Sequence, residues 1–184
     1  GPFQSRALRP EFNPEVKLGK KIGSGGSGDV YLDANNPDFV IKKLKTQSRV
    51  LITEVHMKEV EFFNRYYGEG SAELIINKNQ YHIRMYRVPG KVLIEIDSPT
   101  FLPNAKERFL SMMDDLGYYN IIHEDLNFNN VLYDEKTNTF YPIDFDNAYD
   151  GYYSARELNS DRQFWGVNMR VNNILEHIEE YKKN

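Results

Sequence analysis

The stretch from Val16 to Leu44 constrains the fold most. Val16, Leu18 and Ile22 share one parity, which predicts a strand over 15–23. Glycines follow at 23, 25 and 28, and Val30-Tyr31-Leu32 resumes the apolar run. Glycine lets a backbone bend tightly and approach phosphate without a Cβ in the way. A dinucleotide-binding crossover needs a helix directly after such glycines. Here a second strand follows instead. Ala34-Asn35-Asn36-Pro37-Asp38 then turns the chain into a third strand, Asp38–Leu44. Strand, glycine loop, strand excludes the dinucleotide fold and leaves a sheet with a phosphate-sized loop.

Beyond this sheet the periodicity alternates between helix and strand. Ser48 is placed to cap a helix to about Tyr67, with Leu51, Val55, Phe62, Phe63 and Tyr66 inward and Gly68 as its stop. Ala72–Asn77 and Gln80–Val88 read as a hairpin around Lys78-Asn79. Val92–Ile96 reads as a short strand. Asn104 starts a helix to Leu116, closed by Gly117. Asn130–Tyr133 and Thr139–Ile143 read as paired strands, and Ser160 as the cap of a last helix to about Lys183.

Composition removes several classes of function. The 184 residues hold 23 Lys+Arg against 27 Asp+Glu, a net charge of −4, with no basic stripe. Nucleic acid is therefore not expected as a partner. No apolar run is long enough to span a bilayer. There is no cysteine, so thiolate metal sites, disulfides and Cys nucleophiles are excluded. Gly1-Pro2 reads as a tag remnant, and residues 1–14 as an N-terminal arm. His56, His82 and His177 have no partners at metal or triad spacing.

Three motifs fall in one order along the chain. G-x-G-x-x-G-x-V runs from Gly23 to Val30, H-x-D-L-x-x-x-N from His123 to Asn130, and Asp144-Phe145-Asp146 ends a strand. Together they resemble a protein kinase over Glu15 to about Val167. More narrowly, Phe62-Phe63-Asn64-Arg65-Tyr66-Tyr67-Gly68, the His-Glu-Asp loop, the Asp-Phe-Asp triplet and the early end resemble the small bacterial type III secretion effector kinases of the OspG/NleH group.

The resemblance implies an α+β, protein-kinase-like bilobal fold. Its N-lobe (about 15–88) would be a five-stranded antiparallel sheet plus one helix, and its C-lobe (about 91–184) reduced and mostly helical, the two making a minimal kinase domain over 15–184. It implies ATP and Mg²⁺ as cofactors. Gly23, Gly25, Gly28 and Val30 would cover the nucleotide. Lys42 would pair with the α/β-phosphates, by its match to V-A-I-K, with Lys43 as the alternative. Glu59 is the helix partner for that lysine, since it precedes Phe62-Phe63 by one turn; Glu54 and Glu61 lie on the same helix. Met85 would be the gatekeeper, with backbone of about 86–88, Val88 included, meeting the adenine. Asp125 would receive the acceptor proton, and Asn130 and Asp144 would hold metal. Asp161 to Val167 is similar to the kinase D-x-W-x-x-G-V helix start, whose Asp braces the catalytic loop.

The resemblance further implies a Ser/Thr kinase secreted by a bacterium into the host cell, acting in host cytoplasm or nucleus on NF-κB- and ubiquitin-linked signalling. Its partners would be a protein substrate and a ubiquitin-charged E2 conjugating enzyme. Two other readings stand beside it. One is a kinase-fold binding module with little catalysis; the other is a small-molecule phosphotransferase of the aminoglycoside kinase kind. The departures are specific. Glu124 replaces the usual Arg, and Asn127 replaces a Lys or Arg expected near the γ-phosphate. Asp146 replaces Gly. Only 16 residues separate Asp144 from Asp161, too few for a phosphorylation-switched activation segment. A low basal rate raised by a partner protein is the expectation.

Overall fold

The computed structural model describes residues 15–25, 28–45, 49–77 and 80–184, with side chains at 49–53 outside that description. The chain divides into two compact units at Arg87/Val88.

The first unit is a five-stranded antiparallel sheet with one helix. Strands β1 (Leu18–Ser24), β2 (Gly28–Asp33), β3 (Phe39–Leu44), β4 (Ala72–Asn77) and β5 (Gln80–Tyr86) take the order β1-β2-β3-β5-β4. Helix α1 (Arg49–Tyr67) packs on β4. β1 is less regular than its alternation predicts: its pairing with β2 shifts register twice, and Ile22 lies exposed. Gly28 is required by space, because a Cβ there would sit 2.4 Å from the Lys43 carbonyl oxygen. β3 is the most buried strand, with only Lys43 exposed. Along α1, His56, Glu59, Phe62, Phe63, Tyr66 and Tyr67 are buried. Val55, expected inward, is exposed because it falls off that face. Gly68 ends α1 at φ +113°, donating its N–H to the Asn64 carbonyl at 2.8 Å. Asn64 then uses both ends of its amide on Ala72, accepting at 2.7 Å and donating at 3.0 Å, which pins α1 to β4. The capping role expected of Ser48 lies outside the described residues.

The second unit is built on two helices and short strand pairs. β6 (Lys91–Val92), β8 (Val131–Asp134) and β9 (Thr139–Pro142) form one sheet, and β7 (Ile121–Ile122) pairs with β10 (Tyr149–Asp150). The strand expected over 92–96 stops at Val92, where the chain tightens into a 3₁₀ turn, Leu93–Glu95, closed by Ile96 N–H on the Leu93 carbonyl. α2 (Ala105–Tyr118) runs one residue past Gly117, and Asn104 before it sits at φ +68° with no side-chain cap. α2 packs against β9 and α3 (Trp165–Glu180), burying Phe109, Met112, Met113 and Leu116 with Phe101 and Phe140. α3 buries Val167, Val171, Ile174 and Ile178, an i, i+4, i+7, i+11 stripe. It begins later than Ser160 predicts, since a 3₁₀ turn at Arg162–Phe164 intervenes.

Candidate active site

The first unit holds a buried ion pair. Lys42 lies on β3 directly opposite Val30 on β2 and Ile83 on β5. Its ammonium reaches both oxygens of Glu59, at 2.9 and 3.1 Å. Both side chains are almost fully buried. Of the other candidates, Lys43 is exposed and Glu61 pairs with Arg65 at the surface. A buried pair of this kind holds the ammonium in one place, because neither charge can leave without stranding the other. His56, one turn before Glu59, sits close by. Burial, helped by the Lys42 charge, pushes its pKa down to about 4, so it is neutral at pH 7.

The glycine loop is described at Gly23, Gly25 and Gly28. Gly25 N–H donates to the Gly28 carbonyl at 2.9 Å, closing the β1–β2 turn. Met85 lies buried on β5 between Val40 and Ala72. The N–H groups of Tyr86 and Arg87 donate to Ser71 and Asp38 carbonyls at 2.9 and 2.8 Å. Val88 N–H has no hydrogen-bond partner among the described residues.

The second unit holds the loop from His123 to Asn130. His123 is buried, and its two nitrogens bind different segments. Nδ1 accepts the Asp125 N–H at 3.1 Å and Nε2 donates to the Ile143 carbonyl at 2.9 Å. That pairing requires the neutral Nε2–H tautomer. Burial pushes its pKa down in agreement, against the Ile143 carbonyl and the nearby Asp144 and Asp125 charges. One imidazole thereby ties Asp125 to the residue before Asp144. Asn130 completes the tie: its N–H bonds Asn127, its carbonyl accepts Ile143 N–H at 2.9 Å, and its Nδ2 donates to Asp125 at the carbonyl (2.7 Å) and at Oδ2 (3.2 Å). With Nδ2 committed there, the amide oxygen faces the other way.

Asp144 sits at φ +61°, a left-handed conformation that strains a non-glycine residue. Phe145 behind it is fully buried against the His123 ring, 5.3 Å between centroids. Asn130 oxygen and the Asp144 carboxylate are hard oxygen donors, the chemistry Mg²⁺ prefers. Among the described residues no group of three or more His, Asp or Glu side chains could hold a metal ion. Two protein ligands suit a magnesium ion that takes its remaining ligands from water and phosphate.

The geometry also shows what the sequence missed. Asp161 is exposed and makes no side-chain cap, so it does not brace the catalytic loop; His123 and Asn130 do that work. Asn127 is not idle. Its Nδ2 donates to Asp125 Oδ1 at 3.0 Å while its Oδ1 accepts Asn129 N–H at 2.9 Å. Arg170, on α3, brings its Nε to 3.9 Å from the same Asp125 oxygen. Nothing in the spacing marked it, since an arginine flanking an apolar helix stripe reads as a solvated residue. The short segment after Asp146 is held without phosphate. Tyr153 OH donates to Asn168 at 2.6 Å, and Arg156 forks between Asp114 and Glu107 on α2.

The comparisons agree with this geometry. A family model described as "Protein kinase OspG, kinase domain" matches residues 21–170. The protein kinase OspG of Shigella flexneri serotype X (strain 2002017) is 32% identical over 175 residues, covering 94% of this chain and 89% of that protein. The protein kinases OspG of Shigella sonnei (strain Ss046) and of Shigella flexneri match with the same figures. The chain belongs to the OspG kinase family, and it is a protein kinase.

Proposed function

We propose that the chain is a serine/threonine kinase that works as a bacterial effector, moving the γ-phosphoryl group of ATP to a hydroxyl of a host protein. The observation that carries this is the loop in which Asp125, Asn130 and Asp144 are bound to one another through His123 and the Ile143 backbone. A non-catalytic binding module has no need of that bracing, and family membership does not favour one. The acceptor oxygen bonds to the γ-phosphorus as the bridging P–O bond breaks. The bond's electron pair leaves with the nucleoside diphosphate, and the hydroxyl proton passes to the Asp125 carboxylate.

Each residue has a task that its surroundings support. Lys42, fixed by Glu59, is the cation for the α/β-phosphates. Gly23, Gly25, Gly28 and Val30 cover the phosphates, and Met85 and Val88 bound the adenine. Asn130 and Asp144 would hold Mg²⁺, which neutralises phosphate charge when bound. Among the described residues no helix is long and apolar enough to cross a membrane. Secretion into the host cell, and action in its cytoplasm or nucleus on NF-κB- and ubiquitin-linked signalling, rest on the resemblance to effector kinases. A ubiquitin-charged E2 enzyme as activating partner rests there too.

The test is transfer from Mg-ATP with and without ubiquitin-charged E2, comparing wild type with Lys42→Ala and Asp125→Ala. Loss of the residue taking the proton costs about 10²–10⁴-fold. Equal, poor transfer by all three proteins in every condition would overturn the enzyme reading. Full transfer that ignores E2 would overturn the partner.

A further inference from the structure

We infer that Arg170 is a catalytic cation, placed on α3 to bind the phosphoryl oxygens during transfer. This inference rests on the kinase reading of Asp125. The loop from His123 to Asn130 contains no lysine or arginine, and its histidine accepts the Asp125 N–H at Nδ1, as only a neutral ring can. Asp125 Oδ1 is nonetheless faced by a positive charge, the Arg170 guanidinium at 3.9 Å. That distance is an ion pair without a hydrogen bond. Among the described residues Arg170 has no hydrogen-bond partner at all. Five donors beside a proton acceptor, none of them spent, can take an anion without first breaking a bond.

The surroundings keep the guanidinium there and leave it room. Gly166 lies one turn before Arg170, and a Cβ at 166 would come within 3.1 Å of Arg170 Nη1. The arginine therefore folds back over a glycine. Both residues line a cavity of about 340 Å³ with Glu124, Asp125, Asn147 and Gln163. The cavity is large enough for a phosphoryl group and an acceptor side chain. Its one cation is Arg170, its carboxylates are Asp125 and Glu124, and its other side-chain dipoles belong to Asn147 and Gln163. An anion entering it has Arg170 as its charged ligand. In the transition state the charge of the transferred group is spread over its three equatorial oxygens, and a cation that meets them only in that geometry acts chiefly on kcat.

The experiment compares wild type, Arg170→Ala, Arg170→Lys and the double variant Arg170→Ala with Asn127→Lys. Asn127 touches the same carboxylate oxygen, so a lysine there returns a charge to the site from another element. Transfer to dephosphorylated casein gives kcat and both KM values. Calorimetry gives the affinity for Mg-ADP with and without fluoroaluminate, a mimic of the phosphoryl group in flight. Arg170→Ala is expected to lower kcat on the order of 10²-fold. It should leave KM for ATP and Mg-ADP affinity unchanged and abolish the gain in affinity from fluoroaluminate. Arg170→Lys and the double variant should each recover part of both losses. Arg156→Ala, an arginine bound elsewhere, should change neither. Unchanged kcat and fluoroaluminate affinity in Arg170→Ala overturns the inference, as does loss without rescue by either lysine. A raised KM for casein with kcat intact overturns it in favour of acceptor recognition. If wild type shows no transfer that depends on Lys42 and Asp125, the kinase reading fails and the inference falls with it.

Discussion

Two ion pairs of this kinase are built in opposite ways. Lys42–Glu59 closes at 2.9 Å with side chains 7% and 3% exposed. Arg170–Asp125 stands at 3.9 Å with 34% and 31% exposed. In the first, both charges are desolvated and each is the other's main partner, so the geometry is rigid before any ligand arrives. In the second, water still reaches both groups and the guanidinium has made no hydrogen bond. A closed pair positions a cation; an open pair keeps one available. Arg156 shows that the fold can close an arginine when it needs to, with Asp114 and Glu107 at 2.9 and 2.6 Å.

Removing half of the closed pair should have the largest effect. Glu59→Ala leaves Lys42 buried with its main counter-charge gone, a change worth about 3–5 kcal/mol of stability. Lys42→Met leaves Glu59 in the same position. The double variant Lys42→Met with Glu59→Leu removes both charges and should regain most of that stability while transfer stays lost. Denaturant titration of the three proteins checks this. If the double variant is no more stable than either single one, desolvated charge is not what makes the pair rigid. Asp125→Ala strips the open pair instead. Since water already reaches Arg170, its expected cost lies in transfer, about 10²–10⁴-fold, with little change in the denaturation midpoint.

How much of this was legible depended on sequence distance. Lys42 is picked out by its match to V-A-I-K and Glu59 by lying one helical turn before Phe62-Phe63, and both signals act over a few residues. The glycine at 28 is legible for the same reason, as a turn before a strand. Arg170 lies 45 residues beyond Asp125. No local period connects them, and only the packing of α3 brings it near. Asp161 misled because Trp165 already stood off its motif position; one added turn before α3 exposes the aspartate. The strand expected over 92–96 stops at Val92 because a 3₁₀ turn buries Leu93 and the following Ile96 while leaving Ile94 and Glu95 exposed.

Acid acts on the surroundings of both pairs. His56 beside the closed pair and His123 beneath Asp125 both have lowered pKa values, as does His82, in each case chiefly through burial. The unfolded chain takes up these protons near pH 6.5, whereas the folded chain resists them. The unfolded state therefore binds more protons below that point. Stability is fully present above about pH 6.5 and is lost as pH falls toward the folded values, about 4 for His56. Denaturation midpoints between pH 8 and 5 should decline, and His56→Gln should flatten part of that slope. A flat profile in wild type would mean that the unfolded chain shields its histidines as well.

The smallest expected effect tests whether closure or mere proximity makes a pair matter. Glu61 and Arg65 touch at 3.0 Å, shorter than Arg170 and Asp125, and lie one turn apart on α1. Glu61 is 64% exposed, so water competes for both charges and the side chains give up rotamer freedom to meet. Such pairs contribute about 0.3–0.5 kcal/mol. Arg65 also lies 4.3 Å from the Phe62 ring centre, a contact it keeps without the glutamate. Glu61→Gln should therefore change stability by less than about 0.5 kcal/mol and leave transfer untouched, in the same assay where Glu59→Ala loses both. A loss of transfer in Glu61→Gln would assign the lysine's partner to the wrong glutamate. Distance alone ranks Glu61–Arg65 above Asp125–Arg170; what the site does with each charge depends on whether that charge has already been answered.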